Sequence, residues 1–334
     1  MKNARLVDTR ELFTRRSFSL AVYSVDLPPP VGLSCWALVS QGLNQGRTPE
    51  AMFCVNRAAD NDDFPEDLIH FFRILGDMSY DERLEFPVDN GLVTEFEEMP
   101  ENSYSGVVYA PANGLAGFDF LDSPTVAAIG LFEQEIEVVK YFGATRMLSL
   151  MGQHYGWYPY PVVNNPYRDV FIDREVVNAM TSDPIASILA VRSRDTCVYL
   201  EDADLVLETS WRSARSLASG LDRMPDNTAI RLMTAPSPAA DATLVWRHGC
   251  KEGSAIMADP AQKPDRILGS FICLSGGQVE DRASLVSDGY MVMLSTPSWS
   301  NLKTALKDNA DLVIPNIEAR EETVNLRLRW LPER

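Results

Sequence analysis

The stretch from Pro124 to Phe171 constrains the fold of this chain more than any other, because an alternating segment, a helical stripe and an aromatic–proline turn follow one another within it. From Phe132 to Val138 the residues alternate, with Phe132, Gln134, Ile136 and Val138 on one side and Glu133, Glu135 and Glu137 on the other. That period of two predicts a half-buried strand. Met147, Leu148, Met151 and Tyr155 then fall at helical spacing, and Gly156 supplies a left-handed stop before Trp157-Tyr158-Pro159-Tyr160-Pro161. The unit specifies a fold and names no reaction.

Length allows a large core. A chain of 334 residues is about twice the commonest domain size, so two compact units or one large mixed domain are both expected. No apolar run approaches the roughly 20 residues that span a bilayer. Near the N-terminus Lys2, Arg5, Arg10, Arg15 and Arg16 are interleaved with Asp8 and Glu11, and the apolar stretch Leu20 to Val25 is too short for a secretory leader. Cys35, Cys54, Cys197, Cys250 and Cys273 are odd in number and widely spaced, and no Asn-x-Ser/Thr acceptor occurs, which fits a reducing, cytoplasmic setting. The net charge of -17 repels phosphate backbones, so nucleic acid is not an expected partner. The acidic runs Asp60 to Asp63 and Glu95 to Glu98 read as solvated surface.

Strands are predicted over Phe18 to Val25, Leu33 to Gln41 and Met52 to Arg57, with Gly42 to Gly46 as a turn. Asp63-Phe64-Pro65 opens a helix whose Leu68, Phe71, Phe72 and Leu75 form one face, ended by Gly76. Pro87 to Glu101 reads as an acidic loop, and Gly106 to Ala110 as a strand. Asn164-Asn165-Pro166 marks a turn, and the weak periodicity from there to Pro184 suggests a boundary. The expected organisation is therefore an N-terminal strand and linker over 1–32, a first half over 33–168 and a second over 185–334. In the second half Thr196 to Leu207 reads as a strand, and Ser210 caps a helix with Trp211, Ala214, Ala218 and Leu221 on one face. Further strands fall at Ala229 to Thr234, Thr243 to Arg247, Ile267 to Leu274 and Gly289 to Ser295. Thr296-Pro297 starts a helix burying Trp299, Leu302 and Leu306, and the chain closes on a strand with Val324, Leu326, Leu328 and Trp330 inward. Helices scattered among antiparallel-looking strands predict an α+β fold of mixed, mainly antiparallel sheets with a few packed amphipathic helices and room for two subdomains.

Signatures of chemistry are sparse. His70, His154 and His248 are far apart, no C-x-x-C or H-E-x-x-H occurs, and Asp60, Asp62 and Asp63 lack the rest of a calcium loop, so no metal is expected. Phosphate loops are absent, and Gly276-Gly277 reads as a hairpin turn, so no cofactor is expected. Ser300-Asn301-Leu302-Lys303 matches S-x-x-K without that class's companion motifs and reads as chance. The densest aromatic cluster, His154, Tyr155, Trp157, Tyr158 and Tyr160, is the candidate interaction surface, since such rings offer large contact area with polar tips. The bland reading of the same cluster is a core-lining turn stiffened by Pro159 and Pro161.

Several short stretches, kept in order from about residue 33 to 331, carry a family resemblance. They are Trp36-Ala37-Leu38-Val39-Ser40-Gln41-Gly42-Leu43, Phe64-Pro65-Glu66-Asp67, Gly106-Val107-Val108-Tyr109, Arg146-Met147-Leu148 with Tyr158-Pro159-Tyr160-Pro161, Gly269-Ser270-Phe271, Asp288-Gly289-Tyr290-Met291-Val292 and Leu328-Arg329-Trp330. The chain resembles the C-terminal domain of the SARA and endofin proteins, endosomal FYVE-finger adaptors of Smad signalling. It lacks the finger's paired C-x-x-C ligands, its basic patch and a recognisable Smad-binding segment, so phosphoinositide binding is not implied. What the resemblance implies is a protein-interaction domain with a protein partner and no catalytic residues to transfer. The alternative is an enzyme or small-ligand protein whose site is assembled from dispersed residues such as His154, Arg146 or Arg168, and a third reading is a homo-oligomer subunit.

Overall fold

Thr125–Leu131 is buried along its whole length. A run with no polar side needs cover on both faces, which is why its sequence shows no alternation. The computed structural model describes residues 3–13, 17–43, 49–57, 66, 68–80, 93–95, 104–165, 167–193, 195–224, 228–320 and 322–331. The expected helix opening at Asp63-Phe64-Pro65, the acidic run Asp60 to Asp63, the turn beyond Leu43 and most of the Pro87 to Glu101 loop lie outside these residues. The chain divides into two compact units, one from the described parts of Met1–Val88, Val93–Ile136 and Pro161–Phe171, the other from Glu137–Tyr160 and Ile172–Arg334. The strands over 1–32 thus belong to the first unit, and the segment that ends at Tyr160 belongs to the second.

In the first unit β1 (Ala4–Phe13), β2 (Ser17–Asp26), β3 (Ser34–Gln41), β4 (Glu50–Asn56), β5 (Thr94–Glu95), β6 (Gly106–Pro111), β7 (Thr125–Leu131) and β8 (Val163–Asn164) form one sheet. Its order is β1-β2-β3-β4-β7-β6-β5, with β8 beside β4. Antiparallel pairing runs from β1 to β4 and from β5 to β7, and β4 meets both β7 and β8 in parallel. Helix α1 (Leu68–Tyr80) lays Leu68, Phe71, Phe72 and Leu75 onto a core that includes Leu20, Leu38 and Phe53. The helix runs through Gly76, the expected stop, because its inner face continues: Ser79 is buried and its hydroxyl donates to the Leu43 carbonyl at 2.8 Å. Asn164, read from sequence as part of a turn, is a buried clasp instead. Its Nδ2 donates to the carbonyls of Cys54 and Ala128, each at 3.0 Å, and its Oδ1 accepts from the Gly130 N–H at 2.7 Å.

The alternating segment from Phe132 to Val138 is not a strand. From Glu133 it is the start of α2 (Glu133–Phe142), whose inner residues Glu135, Ile136, Val139 and Phe142 follow helical spacing behind the buried Phe132 at its cap. Glu135 misleads the sequence pattern because it is fully buried. Arg168 grips it with Nη1 on Oε1 at 2.6 Å and Nη2 on Oε2 at 2.5 Å, while the arginine plane lies 4.3 Å from the Phe132 ring centroid. Glu135 also accepts the Phe132 N–H at 2.9 Å, the return half of a helix-start capping box.

The second unit contains α3 (Ala144–Tyr155), α4 (Arg174–Thr181), α5 (Trp211–Asp222) and α6 (Thr296–Asp308). Its strands are β9 (Leu189–Val191), β10 (Thr196–Glu201), β11 (Asp204–Thr209), β12 (Ile230–Met233), β13 (Ala242–Val245), β14 (Ser254–Met257), β15 (Arg266–Leu268), β16 (Phe271–Gln278), β17 (Arg282–Val286), β18 (Gly289–Ser295), β19 (Leu312–Ala319) and β20 (Glu322–Trp330). The sheet order is β14-β13-β15-β10-β11-β20-β19-β17-β18-β16-β12-β9, with parallel and antiparallel neighbours mixed. The fold is α+β. Helices α5 and α6 cover one face through Ala214, Leu217, Leu221, Trp299, Leu302 and Leu306. Ser210 caps α5 by accepting the Ser213 N–H at 3.2 Å, whereas Trp211 points outward at 42% exposure rather than joining the buried stripe.

Three expected elements are broken differently. Thr196 to Leu207 is a hairpin, β10 and β11, turned at Asp202 with a φ of 53°. Ile267 to Leu274 splits at Gly269-Ser270 into β15 and β16. Gly276-Gly277 is a bulge inside β16 rather than a hairpin turn, since the register against β18 shifts between Ser275 and Gln278, and the Trp299 ring occupies the space a Cβ on Gly276 would need.

Away from α5 and α6, the sheet carries a charged ladder. Glu201 binds Arg329 at 2.6 Å and Arg266 at 2.7 Å, while Asp204 accepts from Asn325 at 2.8 Å and Arg327 at 2.7 Å. The hydrogen bond from Arg329 holds Glu201 below its ordinary carboxylate value, and the one from Asn325 does the same for Asp204. A carboxylate with a lowered folded pKa stabilises the fold above its unfolded value and loses that stabilisation as the pH falls through the folded value. We therefore expect the contribution of these two carboxylates to stability to be lost as the pH falls from their ordinary values through the lowered ones. The double variant Glu201→Gln/Asp204→Asn should flatten that part of a urea-midpoint against pH curve. A second expectation concerns α2: Glu135→Ala removes the carboxylate that neutralises the buried Arg168 guanidinium and should cost about 3–5 kcal/mol in urea unfolding.

Candidate functional site

Helix α3 begins at Gly143, whose φ of 90° breaks the chain away from α2, and ends at Gly156, whose φ is 63°. The N–H of Trp157 returns to the Gly152 carbonyl at 2.8 Å, closing the helix in a left-handed cap. Gly152 makes the following turn possible. A Cβ there would lie 2.7 Å from the Trp157 carbonyl oxygen and 3.0 Å from that of Pro159, so only glycine lets the aromatic–proline segment fold back over the helix. Met147, Leu148 and Met151 point inward, as their spacing predicts.

Arg146 lies on the same helix and is completely buried, as is its partner Asp288. Nε donates to Oδ2 at 2.9 Å, Nη2 donates to Oδ1, and Nη2 also reaches the Ser287 hydroxyl at 3.3 Å. Asp288 sits in the tight turn between β17 and β18 after Ser287, whose φ is 54°. The Arg146 plane lies 4.3 Å from the Phe142 ring centroid and 5.6 Å from that of Phe271. The Ser270 N–H donates to the Asp288 carbonyl at 2.8 Å, and a Cβ on Gly289 would come within 2.6 Å of the Phe271 ring. Three stretches that are remote in sequence, Arg146-Met147-Leu148, Gly269-Ser270-Phe271 and Asp288-Gly289-Tyr290, thus meet at one buried pair.

The five residues singled out from sequence do not share one environment. His154 and Tyr155 are exposed at the C-terminal end of α3, Tyr155 at 39%, with their rings edge-on at 4.6 Å and 89°. Trp157 and Tyr158 are half-buried, and the Tyr158 hydroxyl donates to the Ala240 carbonyl at 2.5 Å. Tyr160 is a core residue, 3% exposed, and burial pushes its phenol up from its ordinary value. Its place is inside because the chain turns back over Gly152. Beside it a cavity of about 10 Å³, room for a single water, is lined by Thr145, Ser149, Tyr160 and Thr243. Among the described residues, Thr243 Oγ1 is buried there without a hydrogen-bond partner.

Arg146 and Arg168, considered for a dispersed ligand site, are each committed to a buried carboxylate within their own unit. Burial pushes the Cys197 and Cys273 thiols up to about 12, so both are protonated at neutral pH and poor nucleophiles. Lys303 of the S-x-x-K match faces Asp222 at 3.7 Å. Among the described residues no group of three His, Cys, Asp or Glu is arranged to hold a metal, and no helix is long and apolar enough to cross a membrane.

The family model described as Smad anchor for receptor activation-like, C-terminal, matches residues 121–334. The chain belongs to this family. The matched span of the Smad-anchor-like domain contains Arg146, Asp288 and the whole aromatic–proline turn, whereas the resembling stretches at Trp36, Phe64 and Gly106 precede it. No curated protein matches the chain. Among solved structures, Drosophila Suppressor of Fused aligns over 94% of this chain and 89% of that one at 11% identity and a TM-score of 0.34, too low to establish a shared fold.

Sequence reasoning missed Glu135, Asn164 and Asp288 as partners. Glu135 counted as an outward acid, and Asp288 lies 142 residues from Arg146. No local pattern could join them, though an acid before Gly289 in a tight turn is a weak signal. Truncation should separate rim from core. We expect Tyr155→Ala to change unfolding free energy by no more than about 0.5 kcal/mol, and Tyr160→Ala to lose about 3 kcal/mol or more, both read from chemical denaturation.

Proposed function

We propose that this Smad-anchor-like domain is a non-catalytic, adaptor-like protein-interaction domain acting in the cytoplasm, and that His154, Tyr155 and Trp157, with the edge of Tyr158, form its docking face. One observation carries the reading: the exposed rings of His154 and Tyr155 are mounted on the end of a helix whose residues Ala144 to Ser149, Met151 and Gly152 are buried, with Arg146 locked onto Asp288. A ring held on a rigid mount loses little freedom on binding, so its contact area converts efficiently into affinity. The family description supports a binding role, since anchoring is binding. The five free cysteines support a reducing setting.

The test is affinity purification of the tagged chain, followed by cross-linking that maps the contact to residues 153–158. Tyr155→Ala/Trp157→Ala should lose a stoichiometric partner by at least about tenfold, which corresponds to about 1.4 kcal/mol, while the circular dichroism melt of the variant remains cooperative. A partner retained at full level by that folded variant would place the docking face elsewhere.

A further inference from the structure

The outer face of α5 works against local helix chemistry. Its inner residues Ser213, Ala214, Leu217, Ala218 and Leu221 are buried, as a packed helix requires. Outside, Trp211 at the first helical position is 42% exposed, and Arg212 and Arg215 are exposed on the same helix. An indole left in water adds little to the packing of its helix. Arg212 stands in the first turn, where the helix dipole disfavours a cation, and no acid shares that turn. Arg212 and Arg215 are three residues apart, so like charges repel along one face.

The surroundings do not offset these costs. The chain carries 47 acidic against 30 basic residues, and elsewhere in the second unit Arg266, Arg282, Arg327 and Arg329 each pair with a carboxylate. Among the described residues neither Arg212 nor Arg215 has an ion pair. Glu208, four residues before Arg212, accepts from the Tyr199 hydroxyl at 2.8 Å, and Asp222, the only acid on α5, faces Lys303 at 3.7 Å. Local rules broken together with no gain inside the fold mark a functional surface, and tryptophan and arginine are the residues enriched at interface centres. We infer that Trp211, Arg212 and Arg215 form a docking face for an acidic protein segment that carries an apolar side chain to lie on the indole. Charge complementarity selects that occupant: with a net charge of -17 the chain repels an acidic segment from most of its surface and attracts it here. Each guanidinium fork can donate two parallel hydrogen bonds to a carboxylate. A membrane or a nucleic acid suits the face less, because its continuous charge reaches beyond two arginines and meets the acidic remainder of the surface within a Debye length of about 8 Å. The face lies on α5 and does not rest on the function proposed for the end of α3.

Selection of a phage-displayed random peptide library on the full chain tests it. Enriched peptides should place Asp or Glu around an aromatic or aliphatic residue. One such peptide, labelled and titrated by fluorescence anisotropy, should bind Arg212→Glu/Arg215→Glu and Trp211→Ala at least about tenfold more weakly, and its Kd for the wild type should rise with salt. Circular dichroism melts establish that the variants are folded, and Arg212→Gln/Arg215→Gln takes the place of the charge reversal if that variant does not fold. No enrichment, peptides without acidic residues, or an acidic peptide held at full strength by the folded arginine variant overturns the inference. So does arginine-dependent co-sedimentation with phosphatidylserine vesicles in the absence of any acidic peptide, since the face then belongs to a membrane surface.

Discussion

The buried pair between Arg146 and Asp288 is the interaction on which the second unit depends. Removing two charges from water costs several kcal/mol per ion, so such a pair survives only with good geometry and further hydrogen bonds. Here Arg146 offers two donors to the two carboxylate oxygens, Ser287 adds a third contact, and the rings of Phe142 and Phe271 flank the guanidinium plane. The pair joins a helix to a hairpin turn 142 residues later. With α3 fixed at Arg146, the position of its exposed end, and of Tyr155 and Trp157, follows from the rigidity of the helix and its left-handed cap.

The first unit uses the same device on a shorter reach. Arg168 and Glu135 form a bidentate buried pair flanked by Phe132, and Asn164 ties the backbones of β4 and β7 three hydrogen bonds at a time. Each unit thus buries an arginine against a carboxylate from a distant part of its own chain, with an aromatic ring beside it. A charge left unpaired is far more costly than the intact pair is stabilising, so these contacts select one arrangement of segments over its competitors.

Elements governed by local periodicity were legible in the sequence. The stripes of α1 and α6, the Ser210 cap, the Gly156 stop and the strand at Gly289–Ser295 all follow from spacing and capping chemistry. Elements governed by distant partners were not. Phe132 to Val138 alternates in hydrophobicity yet is helical, because Glu135 belongs to the core once Arg168 neutralises it. β7 has no alternation to read because both of its faces are covered. The candidate face was half legible: aromatic density located it, but only the fold-back over Gly152 separates exposed Tyr155 from buried Tyr160.

A double-mutant cycle on Arg146→Met and Asp288→Leu, followed by urea unfolding, tests the central claim most directly. The account predicts that each single variant loses about 3–5 kcal/mol, and that the double variant loses at least about 2 kcal/mol less than their sum, because no lone charge remains buried. Additive losses would contradict it, and the pair would then be two independent packing residues rather than the joint that holds the unit together.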